Sequence, residues 1–83
     1  MEYIGLIAGH GELPCFCGKE IKKKGYKLAA FDLVTAESKR SKALQELADF
    51  YYPLSLAKFS AFFHEMRNLG AKKVMIAGGM PKV

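Results

Sequence analysis

An apolar run, Tyr3-Ile4-Gly5-Leu6-Ile7-Ala8, stops at a glycine turn, Gly9-His10-Gly11, and Pro14 follows at the start of a helical stretch. Strand, tight turn, helix: this succession constrains the fold more than any other part of the chain. Glycines lack a Cβ, so the backbone can turn sharply there and lie close to another group. Pro14 suits a first helical turn, where its missing N–H is not needed and its φ is already helical. The free N–H groups of such a helix start, at the positive end of its dipole, favour an anion.

The same alternation runs through the rest of the chain. Strand one is Tyr3 to Ala8, and helix one runs from Leu13 or Pro14 to Lys24, with Leu13, Phe16, Cys17 and Ile21 as its apolar face. Gly25 ends that helix. Strand two spans Lys27 to Asp32, Thr35 to Arg40 is a polar loop, and Ser41 or a neighbour opens a short helix carrying Ala43, Leu44, Leu47 and Ala48. Phe50-Tyr51-Tyr52 make a third strand closed by Pro53. Ser55 caps a helix over Leu56 to Leu69, with Leu56, Phe59, Phe62, Phe63, Met66 and Leu69 as a core stripe and Gly70 at its end. Lys73 to Ala77 is strand four, and the chain closes on Gly78-Gly79-Met80-Pro81-Lys82-Val83.

Helical crossovers return each strand in the same direction, so the expected fold is α/β. It is a small Rossmann-like three-layer domain, residues 1–83, with a four-stranded parallel sheet in the order 3-2-1-4 and helices on both faces. Strands one and four then lie side by side, and their carboxyl ends form the topological switch point where open α/β sheets bind ligands. Both end in one tripeptide, Ile7-Ala8-Gly9 and Ile76-Ala77-Gly78. The candidate binding residues are therefore Gly9, His10 and Gly11 with Gly78 and Gly79, and Ser55 at the end of strand three. Strand four becomes an apolar edge, which leaves a dimer through that edge as one expected assembly.

Composition excludes several classes. Eighty-three residues, 51% hydrophobic, suffice for one small folded domain. No apolar stretch approaches the ~20 residues that span a bilayer. The start of the chain has no charged-then-apolar signal layout, so the expected location is the cytoplasm. Cys15 and Cys17, two apart at the start of a helix, point away from each other and do not bridge, and with only His10 and His64 they make too few ligands for a metal centre. Cys15 reads first as a small core residue, with a reactive thiol as the alternative because a helix start can lower a thiol pKa. The net charge of +5 falls on Lys22-Lys23-Lys24, on Lys39, Arg40 and Lys42, and on Lys72-Lys73. These clusters lack interleaved aromatics, so no nucleic-acid partner is expected. They read as helix ends and solvated faces, with attraction to phosphates or an anionic membrane surface as the alternative.

Absences narrow the chemistry further. There is no GxxxxGK[ST] loop, no carboxylate pair spaced to hold a catalytic metal, and no serine elbow with a partner base, so no catalytic residue is assigned. Glu12 reads as a complement to the helix dipole, and His64 as a surface or packing residue. Asp32 lies where a dinucleotide binder keeps its ribose-binding acid, yet Gly9-x-Gly11-x-x-Pro14 has proline in place of the third glycine of that fingerprint. A small nucleotide- or dinucleotide-binding module remains an alternative, as does a non-enzymatic assembly domain.

The opening Ile4-Gly5-Leu6-Ile7-Ala8-Gly9-x-Gly11-x-Leu13-Pro14 resembles that of the bacterial UDP-2,3-diacylglucosamine pyrophosphatases of lipid A biosynthesis. These are distinct from the calcineurin-like phosphoesterases that perform the same step. The resemblance continues through Leu47-Ala48-Asp49, Ser55-Leu56 and Leu69-Gly70-Ala71-Lys72-Lys73-Val74-x-Ile76-Ala77-Gly78-Gly79. Cys15 and Cys17 stand where the family pattern has aliphatic residues. The resemblance implies a magnesium-dependent hydrolase that cleaves the substrate's pyrophosphate to UMP and 2,3-diacylglucosamine 1-phosphate. It also implies a longer, two-domain protein whose C-terminal domain supplies the catalytic acids. This domain would then bind the UDP-linked acylated glucosamine and be inactive and metal-free by itself. The location it implies is cytoplasmic, with peripheral association at the inner membrane.

Overall fold

The computed structural model describes residues 2–33, 38–55 and 59–79. Along the chain run β1 (Tyr3–Ala8), α1 (Leu13–Lys23), β2 (Lys27–Asp32), α2 (Lys39–Leu47), β3 (Phe50–Pro53), α3 (Ser60–Leu69) and β4 (Lys73–Ala77). The strands pair in parallel in the order β3-β2-β1-β4, as the alternation predicts.

β1 and β2 are central and covered on both sides, which is why they read as near-continuous apolar runs. Leu6, Ala8, Leu28 and Ala30 point to one face and pack with Cys15, Ile21 and Leu44 of α1 and α2. The alternate residues Ile7, Ala29 and Phe31 meet Leu54, Phe62 and Met66 on the α3 face. Phe31 centres that second core, with the Phe62 ring edge-on at 4.8 Å. At the amino end of the sheet, the Asp49 carboxylate accepts from the Leu28 N–H at 2.9 Å and pairs with Lys22 at 3.0 Å, tying β3 to β2 and to the end of α1.

Three local expectations change. α1 buries Pro14, Cys15, Gly18 and Ile21, whereas Leu13 and Phe16 stand exposed at 54% and 63%. The buried face includes Gly18, where a Cβ would come within 2.9 Å of both Leu28 and Leu47, so close approach at Gly18 joins the burial of Cys15 and Ile21 in orienting the helix. α2 is capped by Ser38, whose hydroxyl accepts from the Ser41 N–H at 3.0 Å; Ser41 itself is buried inside the first turn. α3 starts at Ser60 with Phe59 at its N-cap, so Ser55 does not cap it. Leu56 lies outside the described residues. Of the expected stripe, Phe62 and Met66 are buried, Phe59 and Leu69 half-buried, and Phe63 is exposed at 64%. Gly25 (φ 92°) and Gly70 (φ 71°) follow their helices in the left-handed region, as expected.

β4 is the apolar edge that the strand order predicts, with Val74, Met75 and Ile76 all exposed. Beside it a groove of about 290 Å³ opens between α1 and β4, floored by Ile4, Phe16, Ile21, Tyr26 and Met75. None of the glycine-turn residues lines it.

Candidate functional site

At the carboxyl edge of the sheet the two glycine turns meet directly. The Gly9 N–H donates to the Ala77 carbonyl at 2.8 Å, continuing the β1–β4 ladder past its last pair. His10 and Gly79 then exchange both backbone bonds, at 2.6 and 2.9 Å, as a short antiparallel bridge. Such contact needs bare backbone. A Cβ on Gly9 would overlap the Gly79 carbonyl, and one on Gly78 would lie 2.6 Å from the His10 carbonyl oxygen. Gly78 also holds φ at 92°. The sequence expectation of two turns at one switch point thus becomes a joined platform, on which Gly9, His10, Gly11, Gly78 and Gly79 are contiguous.

α1 begins beneath this platform. Glu12 is its N-cap, and its carbonyl accepts from the Cys15 and Phe16 N–H groups at 3.1 and 3.3 Å, but its side chain makes no capping bond. Among the described residues no backbone carbonyl accepts from the N–H groups of Gly11, Glu12 or Leu13. Gly11 sits at φ 98° with open space around its α-carbon. His10 and Gly11 are exposed. A helix start with uncommitted N–H groups beside exposed glycines is suited to phosphate oxygens.

Ser55 does not join the group. It is exposed after Leu54 at the end of β3, and β2 stands between β3 and the platform. The end of β2 is occupied by Asp32, which is 1% exposed. One carboxylate oxygen accepts from Arg40 Nη2 at 2.9 Å and the other from the Tyr51 hydroxyl at 2.7 Å. An acid enclosed this way has no free oxygen for a ribose, which removes the main support for a dinucleotide site. Burial, together with the bond to Asp32, pushes the Tyr51 phenol up to about 12.

Arg40 is the site residue that sequence reading missed. It sits in a cluster of basic residues and reads there as part of a solvated connection, yet its side chain is only 8% exposed. The same Nη2 that binds Asp32 donates to the Gly9 carbonyl at 2.7 Å. The one available signal was a buried-strand aspartate in need of a counter-charge.

Of the two readings of Cys15, the structure favours the small core residue. Its thiol is buried against α2, with Sγ 3.6 Å from the Arg40 carbonyl, and burial raises its pKa, outweighing the pull of the Arg40 charge. No group of three His, Cys, Asp or Glu among the described residues is placed to hold a metal ion. Asp32 has both carboxylate oxygens engaged, and Glu12, which follows Gly11, is a single acid, so the described residues present no preformed set of acids for a magnesium ion. No helix among them is long and apolar enough to cross a membrane.

Comparison with known proteins adds one positive result, since neither a curated protein nor a solved structure matches the chain. The model of the family described as the LpxI N-terminal domain matches residues 3–83, essentially the whole chain. The chain therefore belongs to the LpxI N-terminal domain family.

Proposed function

We propose that this domain is the substrate-binding half of a hydrolase that cleaves the pyrophosphate of UDP-2,3-diacylglucosamine to UMP and 2,3-diacylglucosamine 1-phosphate. The observation that carries the reading is the glycine platform at the switch point, beside the uncommitted N–H groups that open α1. The Gly11, Glu12 and Leu13 N–H groups would donate to pyrophosphate oxygens, and the α1 dipole would favour their charge. The exposed His10 would cover the bound group, while Gly78, which has no room for a Cβ, keeps the second turn close to the first, with Gly79 beside it. In this reading Ser55 reaches a more distant part of the substrate from the end of β3.

The described residues supply binding and orientation only. The acids and the magnesium that the sequence resemblance brings would belong to a C-terminal domain of the same protein. The substrate's acyl chains would keep the protein at the inner membrane surface from its cytoplasmic side.

Calorimetric titration with UDP, UDP-N-acetylglucosamine and NAD tests the binding claim. Saturable binding of both uridine compounds and none of NAD is expected. Binding of NAD alone would reverse the assignment in favour of a dinucleotide module. The chain by itself is expected to leave UDP-2,3-diacylglucosamine intact with magnesium present, and turnover would overturn the division of labour.

A further inference from the structure

Hydrogen bonds across the carboxyl edge of the sheet form one continuous chain that visits all four strands in order. The Tyr51 hydroxyl of β3 donates to Asp32 of β2, Asp32 accepts from Arg40, and Arg40 donates to the Gly9 carbonyl just past β1. The peptide group whose oxygen Arg40 holds is the one whose N–H, that of His10, donates to Gly79 beyond β4. A guanidinium on the oxygen of a peptide strengthens the N–H of that peptide as a donor, because linked hydrogen bonds polarise one another.

From this network we infer that Arg40 is a positioning residue for ligand binding: it fixes the Gly9–His10 peptide and thereby holds the two glycine turns in the register that an anionic group would meet. Three features support the inference. The two bonds from Nη2 go to the turn and to Asp32, while Nη1 is buried without a partner among the described residues, so the guanidinium is placed for these acceptors and not for its own full satisfaction. The Arg40 carbonyl also accepts from Cys15 Sγ in the first turn of α1, so one residue touches the strand end, the turn and the helix start. Finally, the pair is buried at 8% and 0% side-chain exposure, where charge-assisted bonds escape screening by solvent.

Replacing Arg40 alone would strand a buried carboxylate, so the test uses the paired variant Asp32→Asn with Arg40→Met, which removes both charges. Phe62→Leu, in the core on the α3 face, is the control for a general loss of stability. Amide exchange at His10 and Gly79 is expected to accelerate at least about tenfold in the paired variant relative to that control, read at equal global stability. No acceleration beyond the control would overturn the inference. With UDP as the probe, the paired variant is expected to bind at least about tenfold more weakly while Phe62→Leu binds as the native chain does. Equal affinity in the two variants would also overturn it. The titration rests on the proposed function and the exchange measurement does not. If the native chain bound no UDP, the functional reading would fall and the exchange result would still decide the role of Arg40.

Discussion

Gly9 and Gly79 are in backbone contact across the ends of β1 and β4, closely enough that no side chain fits between them. The obstacle to a Cβ at Gly9 is a carbonyl, not the tip of a flexible side chain, so relief requires the two strand ends to part. Gly9→Ala is expected to cost about 2–3 kcal/mol, as overpacking of a fixed contact does. Chemical denaturation measures the loss, and the His10–Gly79 amide signals would shift with it. An unchanged midpoint would mean that the turns separate without penalty.

Gly11 and Gly25 provide a matched pair. Both hold positive φ, 98° and 92°, and neither has an atom within 4 Å of where a Cβ would sit. Alanine at either position therefore meets only the backbone penalty of the left-handed region, about 1–2 kcal/mol. The two variants are expected to lose similar stability, but only Gly11→Ala should weaken UDP binding, because Gly25 lies at the opposite end of α1. Equal effects of both on affinity would remove Gly11 from the site.

What the sequence disclosed and what it hid divide along a physical line. Strand order followed from chain-local patterns and the rules of parallel crossovers, and the repeated Ile-Ala-Gly tripeptide already placed both glycine turns at one switch point. The direct bonding of those turns depends on how far two strand ends converge, which no local pattern encodes. The buried face of α1 differs from its apolar pattern because Gly18, packed against Leu28 and Leu47, carries no hydrophobic signal. Arg40 was hidden for a related reason. Its neighbours Lys39 and Lys42 are exposed, and only the tertiary placement of Asp32 distinguishes it from them.

The two thiols should differ in reactivity, in the reverse of the order that a helix start suggests. Cys15 is buried and its pKa is raised by that burial, whereas Cys17 is half-buried beside the α1–β4 groove. With a disulfide reagent at mildly alkaline pH, one thiol is expected to react quickly and the other only as the chain opens. Cys17→Ser should abolish the fast phase and Cys15→Ser should leave it. A fast phase surviving in Cys17→Ser would show that the packing of Cys15 against α2 opens readily in solution.

Tyr51 carries a pH dependence whose direction follows from its bond to Asp32. In the fold its phenol is pushed up from 10.0 to about 12, chiefly by burial and then by the adjacent carboxylate. The unfolded chain loses that proton first, so the contribution of Tyr51 to stability is complete below pH 10 and is lost as pH rises toward 12. Tyr51→Phe removes the hydroxyl and with it one of the bonds to an ionised acceptor, a loss of about 1.5–3 kcal/mol at neutral pH. The variant should then show a shallower fall in stability between pH 10 and 12 than the native chain. Ultraviolet titration gives an independent reading, because one of the four tyrosines should ionise late in the native chain and that late step should vanish in Tyr51→Phe. A late step that persists in the variant would assign it to another tyrosine and break the Asp32–Tyr51 end of the hydrogen-bond chain.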